Sequence, residues 1–221
     1  MIEELKSIEK NFFVKHQIPM SKVIFGRNLK GENLRIILKT NNAWFAYGSE
    51  RCSNKNCKGT IRNEKRCIVC NVRTIEETKK YYSDGFIYIV VSGLKKYVKV
   101  GSTLDIKKRI ANLNSSKYGN ADDWKIAYYA KYQNMGKIER DIQSRLNEYQ
   151  YQVTYSKQEV GQEAKELFRC SYITAKIEFD AIGENNLTFK LNEDWELENA
   201  SSLFNFENVS KIESINLFES N

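Results

Sequence analysis

Four of the five cysteines stand within nineteen residues, at Cys52, Cys57, Cys67 and Cys70, in the pattern Cys-x4-Cys-x9-Cys-x2-Cys. Two close pairs on short loops can converge on one tetrahedral ion. Thiolates suit zinc, with Zn–S distances of about 2.3 Å. The segment between the pairs, Lys58–Arg66, is short and polar. It cannot bury a core of its own, so a structural Zn2+ would supply its folding energy. Four free thiols are the competing reading, and the four-residue first gap is the wide end of the usual spacing. Cys170 stands apart beside Leu167, Phe168 and Tyr172 and is expected in a core. A single histidine, His16, excludes any mechanism that needs two.

The elements around these cysteines follow from periodicity. Residues 2–17 space Ile2, Leu5, Ile8, Phe12 and Phe13 as a helix would. Leu34–Leu38 and Ala43–Tyr47 read as two strands around a turn at Thr40–Ala43, forming a small module with the cysteine knuckle. Gly85–Gly101 reads as a hairpin, with strands at 86–91 and 97–100 around a loop at Ser92–Lys96. Tyr97 and Lys99 then share one face, and Tyr88 is expected across from Lys99. Gly101 would end the second strand, and Ser102 or Thr103 would cap a helix through Leu113 whose stripe is Ile106, Ile110 and Leu113, with Arg109 at its edge. A third strand is expected at Ile126–Ala130. A second helix should start near Lys137, with Ile138, Ile142, Leu146 and Tyr149 buried and Glu139 on the Ile142/Leu146 edge.

Charge divides the 221 residues unevenly. Residues 1–179 hold 33 Lys/Arg against 19 Asp/Glu, while 180–221 hold 2 against 9. A basic body points to a polyanion, most often nucleic acid. Residues 51–83, with nine Lys/Arg against three Glu, are expected to contact phosphates. The candidate nucleic-acid contacts are Lys58, Arg62, Lys65, Arg66, Lys95, Lys96, Lys107 and Lys108. No apolar run approaches the ~20 residues of a membrane span. The amino terminus, MIEELKSIEK, has no apolar core and is not expected to act as a signal peptide. A cytoplasmic protein without membrane partners is the expectation.

The ordered set Gly85-Phe-Ile-Tyr88, Lys99-Val-Gly101, Arg109 and helical Glu139 resembles the GIY-YIG nuclease superfamily. It is most similar to the branch whose second motif reads Lys-Ile/Val-Gly. Trp124 and Glu166-Leu-Phe168 also look familial, and 12–179 is similar to bacterial members with a Cys-rich segment before the hairpin. The resemblance implies an α+β fold: a three-stranded antiparallel sheet flanked by helices, preceded by a zinc-ribbon-like module. The expected divisions are 1–50 (helix and hairpin), 51–83 (four-cysteine zinc knuckle), 84–179 (nuclease domain) and 180–221 (acidic tail).

The resemblance also implies divalent-metal-dependent cleavage of DNA, double-stranded DNA being the expected partner, by a bacterial or phage endonuclease. Phosphodiester hydrolysis needs an activated water, charge on the phosphoryl oxygens and help for the leaving oxygen. Glu139 would hold one Mg2+ or Mn2+, ions that keep most of their waters. Arg109 offers a planar cationic fork to a phosphate. Tyr88 would be the general base if a cation such as Lys99 lowers its pKa from about 10, or Lys99 would itself be the base. Tyr97 would orient the nucleophile or pack. The competing function is a catalytically degenerate nucleic-acid-binding protein using the same basic surface. Glu163-Ala-Lys165 superficially resembles a restriction-type Glu-x-Lys but is expected in a helical, polar stretch. A single site cuts one strand, so a homodimer would serve a double-strand break. The acidic tail is expected to fold back on the basic groove or to dock a partner protein.

Overall fold

The structure is a computed structural model that describes residues 6–27, 29–57, 59–157, 160–185 and 190–213. Ile2, Leu5, Lys58, Leu187, Phe189, Ile215, Leu217 and Phe218 lie outside the described residues. The chain forms two compact units, Met1–Lys79 and Lys80–Asn221. The first unit holds the amino-terminal helix, the next two strands and the cysteine segment together, as the expected small module does.

In the first unit, α1 (Ser7–Lys15) is followed by β1 (Val23–Phe25), α2 (Gly31–Thr40) and β2 (Phe45–Tyr47). β1 and β2 pair in parallel, Ile24 opposite Ala46. Parallel neighbours need a crossover, and α2 supplies it. Leu34–Leu38, expected as a strand, is therefore helical. Its Ile-rich run imitates a strand, but Leu34 and Leu38, four apart, are the buried pair, while Ile36 is exposed. Phe13, Phe45, Ile61, Ile68 and Ile75 form the core. Ile8, one of the helically spaced apolar residues of α1, is exposed. Glu9 is buried instead, accepting from Thr60 Oγ1 at 2.6 Å and from the Gly48 N–H at 3.4 Å. α3 (Arg73–Tyr82) runs across the boundary between the units.

The second unit is built on a six-stranded sheet. In chain order it comprises β3 (Gly85–Ser92), β4 (Tyr97–Thr103), α4 (Ile106–Ser115), β5 (Trp124–Tyr132), α5 (Met135–Arg145), β6 (Gln150–Lys157), β7 (Val160–Phe168), α6 (Tyr172–Asn185), β8 (Lys190–Glu196) and α7 (Ala200–Leu203). The strand order is β6-β7-β4-β3-β5-β8, with every neighbour antiparallel. The expected three strands, β4-β3-β5, form its centre, and three more widen it. Ile87, Ile89 and Val91 pack with Ile138 and Ile142 of α5 and Phe179 of α6. Tyr88 and Val90 face the other way, toward Leu113 of α4. Cover on both faces explains why β3 reads as a continuous apolar run.

Several local expectations are corrected. Ser92 pairs with Tyr97, so the loop is one residue shorter than expected, and Tyr88 lies opposite Gly101 rather than Lys99. β4 continues past Gly101 to Thr103, and the cap of α4 is Asp105, whose carboxylate accepts from the Lys108 N–H at 2.9 Å. Glu163 and Lys165 lie on strand β7, not a helix, paired with each other at 2.8 Å while Ala164 between them is buried. The acidic segment is no appendage: α6 runs through position 180, β8 pairs with β5, and Ala200 and Phe204 enter the core. Its described acidic side chains are exposed, while Ile182, Ala200 and Phe204 enter the core. Among the described residues no helix is long and apolar enough to cross a membrane.

Candidate active site and metal centre

The site grows from the middle of β3. Tyr88 points to the α4 face and is buried. Its ring lies over Gly101 of β4 so closely that any side chain at 101 would collide with the hydroxyl. That close approach is the physical reason for a glycine in the second motif. The Tyr88 hydroxyl oxygen accepts from Arg109 Nε at 2.8 Å. Asp105 fixes the start of α4, and Arg109 follows one turn later on the side that meets the sheet. Burial works against the charge of Arg109, but Tyr88, with Glu166 and Tyr118, outweighs it and keeps the guanidinium protonated.

Lys99 sits on the same face, diagonally across from Tyr88, and is fully buried. Its ammonium pairs with the Glu166 carboxylate and lies 5.0 Å from the centroid of the Tyr118 ring. Burial opposes its charge, but Tyr88, Glu166 and Tyr118 together raise its pKa above that of an ordinary lysine. For Glu166, burial pushes the pKa up, yet Lys99 pulls it below the usual carboxylate range. Lys99 is therefore a fixed cation, which counts against the alternative of a lysine base. Glu166 and Tyr118 were not among the expected site residues. The Glu166-Leu-Phe168 triplet was visible, but its partner is 67 positions away in the chain.

Tyr97 does not join this group. It pairs with Ser92 at the turn end of the hairpin and packs against Tyr151, ring centroids 5.5 Å apart. Burial, and then Tyr151, raise its pKa.

Glu139 approaches from the opposite side of the sheet, on α5. β7 pairs with β4 only at Val98 and Lys99, which leaves the outer edge of β4 open beyond them. Glu139 and Gln143, one helical turn apart, fill that gap. Glu139 accepts from the Ser102 N–H at 3.0 Å and from Ser102 Oγ at 2.6 Å. Gln143 Nε2 donates to the Val100 carbonyl at 3.0 Å. The carboxylate thus lies beside Ser102, one residue from the Gly101 that carries the Tyr88 ring. Each of its oxygens has a donor in Ser102 and keeps acceptor capacity. A single carboxylate so placed fits a hard divalent cation that retains most of its waters.

The four cysteines of the first unit converge, their sulfurs all within 4.8 Å of one another. Cys52–Cys70 and Cys57–Cys67 are both 3.7 Å apart. A tetrahedron with bonds of about 2.3 Å has edges of about 3.8 Å, so the set suits a metal such as zinc. The Gly59 N–H donates to Cys57 Sγ at 3.4 Å, an outer hydrogen bond of the kind that orients thiolate ligands. Among the described residues this is the one cluster of three or more such ligands. Cys170 is buried in the second unit, as expected of a core residue, and burial pushes its thiol up to about 12.

The basic candidates divide between the units. Lys65 and Arg66 are exposed on the segment between the cysteine pairs, while Arg62 is half-buried and its backbone bridges Ala46 and Cys67. Lys95 and Lys96 are exposed at the hairpin turn, away from the Tyr88–Gly101 pair, and Lys107 and Lys108 are exposed on α4. The first unit carries 16 Lys/Arg against 8 Asp/Glu and the second 19 against 20. The net positive charge therefore belongs to the cysteine-bearing unit.

Residues 85–182 match the family model of the T5orf172 domain, a nuclease-associated domain. No curated protein and no solved structure matches the chain. The matched segment begins at Gly85 and contains Tyr88, Lys99, Arg109, Glu139 and Glu166, whereas the cysteine unit lies outside it.

Proposed function

We propose that the protein is a divalent-metal-dependent DNA endonuclease of GIY-YIG type, gripping DNA phosphates through its basic, zinc-stabilised first unit. The observation that carries this reading is the Arg109 hydrogen bond to the buried Tyr88 oxygen, inside a segment that matches a nuclease-associated domain. Structural cores seldom bury a phenol and an ammonium beside a half-buried guanidinium. Perturbed, mutually paired ionisable groups are instead typical of sites.

Arg109 would bind the phosphoryl oxygens with the guanidinium N–H groups that Tyr88 leaves free. Tyr88, flanked by Arg109 and Lys99, would take the proton of the attacking water. Lys99, fixed by Glu166, would contribute positive charge rather than act as the base. Glu139 would hold Mg2+ or Mn2+, which when bound supplies charge neutralisation at the phosphate and leaving oxygen. The side chains of Lys65 and Arg66, joined by Lys58 and Arg62, would add contacts whose affinity falls steeply with salt.

Plasmid cleavage tests the reading. Wild type should nick or linearise DNA with Mg2+ or Mn2+ and not with EDTA, while Glu139→Ala and Arg109→Ala should lose at least ~100-fold in rate. A second reading has one observation in its favour: both Glu139 oxygens are already engaged by Ser102, as a purely structural carboxylate would be. In that case the protein binds DNA without cutting it, and Glu139→Gln changes neither binding nor cleavage.

A further inference from the structure

Tyr88 is one rung of a row that crosses four strands. Gly101, Tyr88, Tyr129 and Trp195 are successive partners on β4, β3, β5 and β8. Directly paired residues point to the same face of a sheet, here the face that carries α4. Beyond Tyr88 the row becomes an aromatic ledge. The Tyr129 and Trp195 rings stack with centroids 5.8 Å apart and planes at 21°, and Phe86 meets Tyr129 edge-on at 5.5 Å. With Leu104, Ile126 and Lys107 the ledge lines a groove of about 460 Å³. That is within the size range of small-molecule pockets, about 300–1,000 Å³.

This surface is not spent on the core. Trp195 is 41% exposed and Leu104, on the segment that enters α4, is 69% exposed. The neighbouring positions of β8 are Glu193, Asp194 and Glu196. Asp194 and Glu196 turn to the other face, and Glu193 pairs with Lys131 at 3.0 Å, so this end of the row offers little net charge. What it offers is π surface, and the cationic phosphate binder, Arg109, stands at the other end. From Trp195 to Tyr88 is two strand spacings, ~10 Å, about the reach of one nucleotide.

We infer that the groove holds an unpaired nucleobase, stacked on Trp195 and Tyr129, while the phosphate of that strand lies at Arg109. A base can present its face to this ledge only when it is out of a duplex stack. The site therefore selects single-stranded or locally unpaired DNA, and it is tolerant of sequence because every base has a π face. This inference rests on the nuclease reading of the Tyr88–Arg109 site.

The test uses full-length protein, a single-stranded oligonucleotide carrying 2-aminopurine, and a duplex of the same sequence. Wild type should quench the 2-aminopurine and bind the single strand. Trp195→Ala and Trp195→Leu should abolish the quenching and weaken single-strand binding ~10-fold. Trp195→Phe should stay within about 2-fold of wild type, since it keeps the aromatic face. All three should keep their circular dichroism and their duplex affinity, because Trp195 is not a core residue. Single-strand affinity and quenching unchanged in Trp195→Ala, in a protein that still cuts plasmid, would overturn the base site and leave the nuclease reading standing. Failure of wild type to bind any DNA would overturn both. If Trp195→Ala instead turns a dimer into a monomer in sedimentation with DNA binding intact, the ledge is a self-association surface and the inference falls.

Discussion

Lys99 and Glu166 form a buried ion pair that joins the centre of the sheet to a strand added from later in the chain. The lysine is wholly enclosed, whereas the Glu166 side chain is 43% exposed. Removing the carboxylate would leave an enclosed cation near Arg109 with fewer compensating charges. Losing one member of a fully buried pair costs about 3–5 kcal/mol. The solvent access of Glu166 reduces this, so Glu166→Gln should cost about 1–3 kcal/mol. The pH dependence follows from the direction of the shift. The folded pKa of Glu166 is depressed, so its contribution is present above the unfolded value of about 4.3 and lost as pH falls through the folded value. In urea melts, the gap between wild type and Glu166→Gln should be constant from about pH 6 to 8 and shrink below about pH 4. A gap that persists undiminished at about pH 3 would remove the ion pair as its cause.

The same pair has an alkaline limb. The folded pKa of Lys99 is raised, so its contribution is complete below the unfolded value of about 10.4 and lost as pH rises through the folded value. Lys99→Met keeps the length of the chain without the charge. It should lower cleavage across the pH range, because a fixed positive charge beside Tyr88 and the phosphate is lost. Cleavage undiminished in Lys99→Met at the wild-type optimum would remove Lys99 from the site.

Gly101 and Tyr88 should be energetically coupled. A methyl group at 101 meets the Tyr88 hydroxyl and ring carbon, so something must shift. Overpacking of this kind costs about 1–3 kcal/mol. In a Tyr88→Leu background the space opens, and Gly101→Ala should then cost at least about 1 kcal/mol less than in wild type. Additive costs in that double-mutant cycle would show that the two residues do not contend for the same space.

The central hairpin is legible in the sequence because its apolar run, glycine-containing loop and motif glycines all agree. Its register differs from expectation by one loop residue, since Ser92 belongs to the strand rather than the turn. Leu34–Leu38 misleads because β-branched residues favour strands, and only the crossover between two parallel strands makes that segment a helix. Glu166 cannot be paired with Lys99 from spacing, as long-range ion pairs leave no local period. The acidic segment misleads for a similar reason. Charge dominates its composition, while β8 and Phe204 find their places against a sheet edge and core laid down much earlier in the chain.

Metal removal should act on the first unit alone. If Cys52, Cys57, Cys67 and Cys70 hold zinc, unfolding with a thiol-modifying reagent should release one ion per chain into a colorimetric indicator. Cys67→Ser, which replaces the buried ligand, should lose the metal and the protected amides around Ile61 and Ile68 in hydrogen exchange. The β3 and β4 amides should keep their protection, because their core is in the other unit. Purified protein without a stoichiometric metal would exclude this centre.

Truncation decides between an appendage and a structural element at the carboxyl-terminal end. Ending the chain at Asp180 removes the last turn of α6, the whole of β8 and the cap formed by Ala200 and Phe204. The Tyr172 hydroxyl loses its bond to Glu196 at 2.7 Å, and Ile182 leaves the core. Burial of Phe204 and Ile182 alone is worth about 1.5–3 kcal/mol each, and the exposed edge of β5 would invite intermolecular pairing. The truncated protein should therefore aggregate or unfold without a cooperative transition. An autoinhibitory tail predicts the opposite, a stable protein that binds DNA more tightly at low salt. A smaller change separates loss of fold from loss of inhibition. Phe204→Ala should destabilise by about 3–5 kcal/mol while leaving the charges of β8 in place. A folded Asp180 truncation with wild-type stability and tighter DNA binding would restore the tail as a regulatory segment.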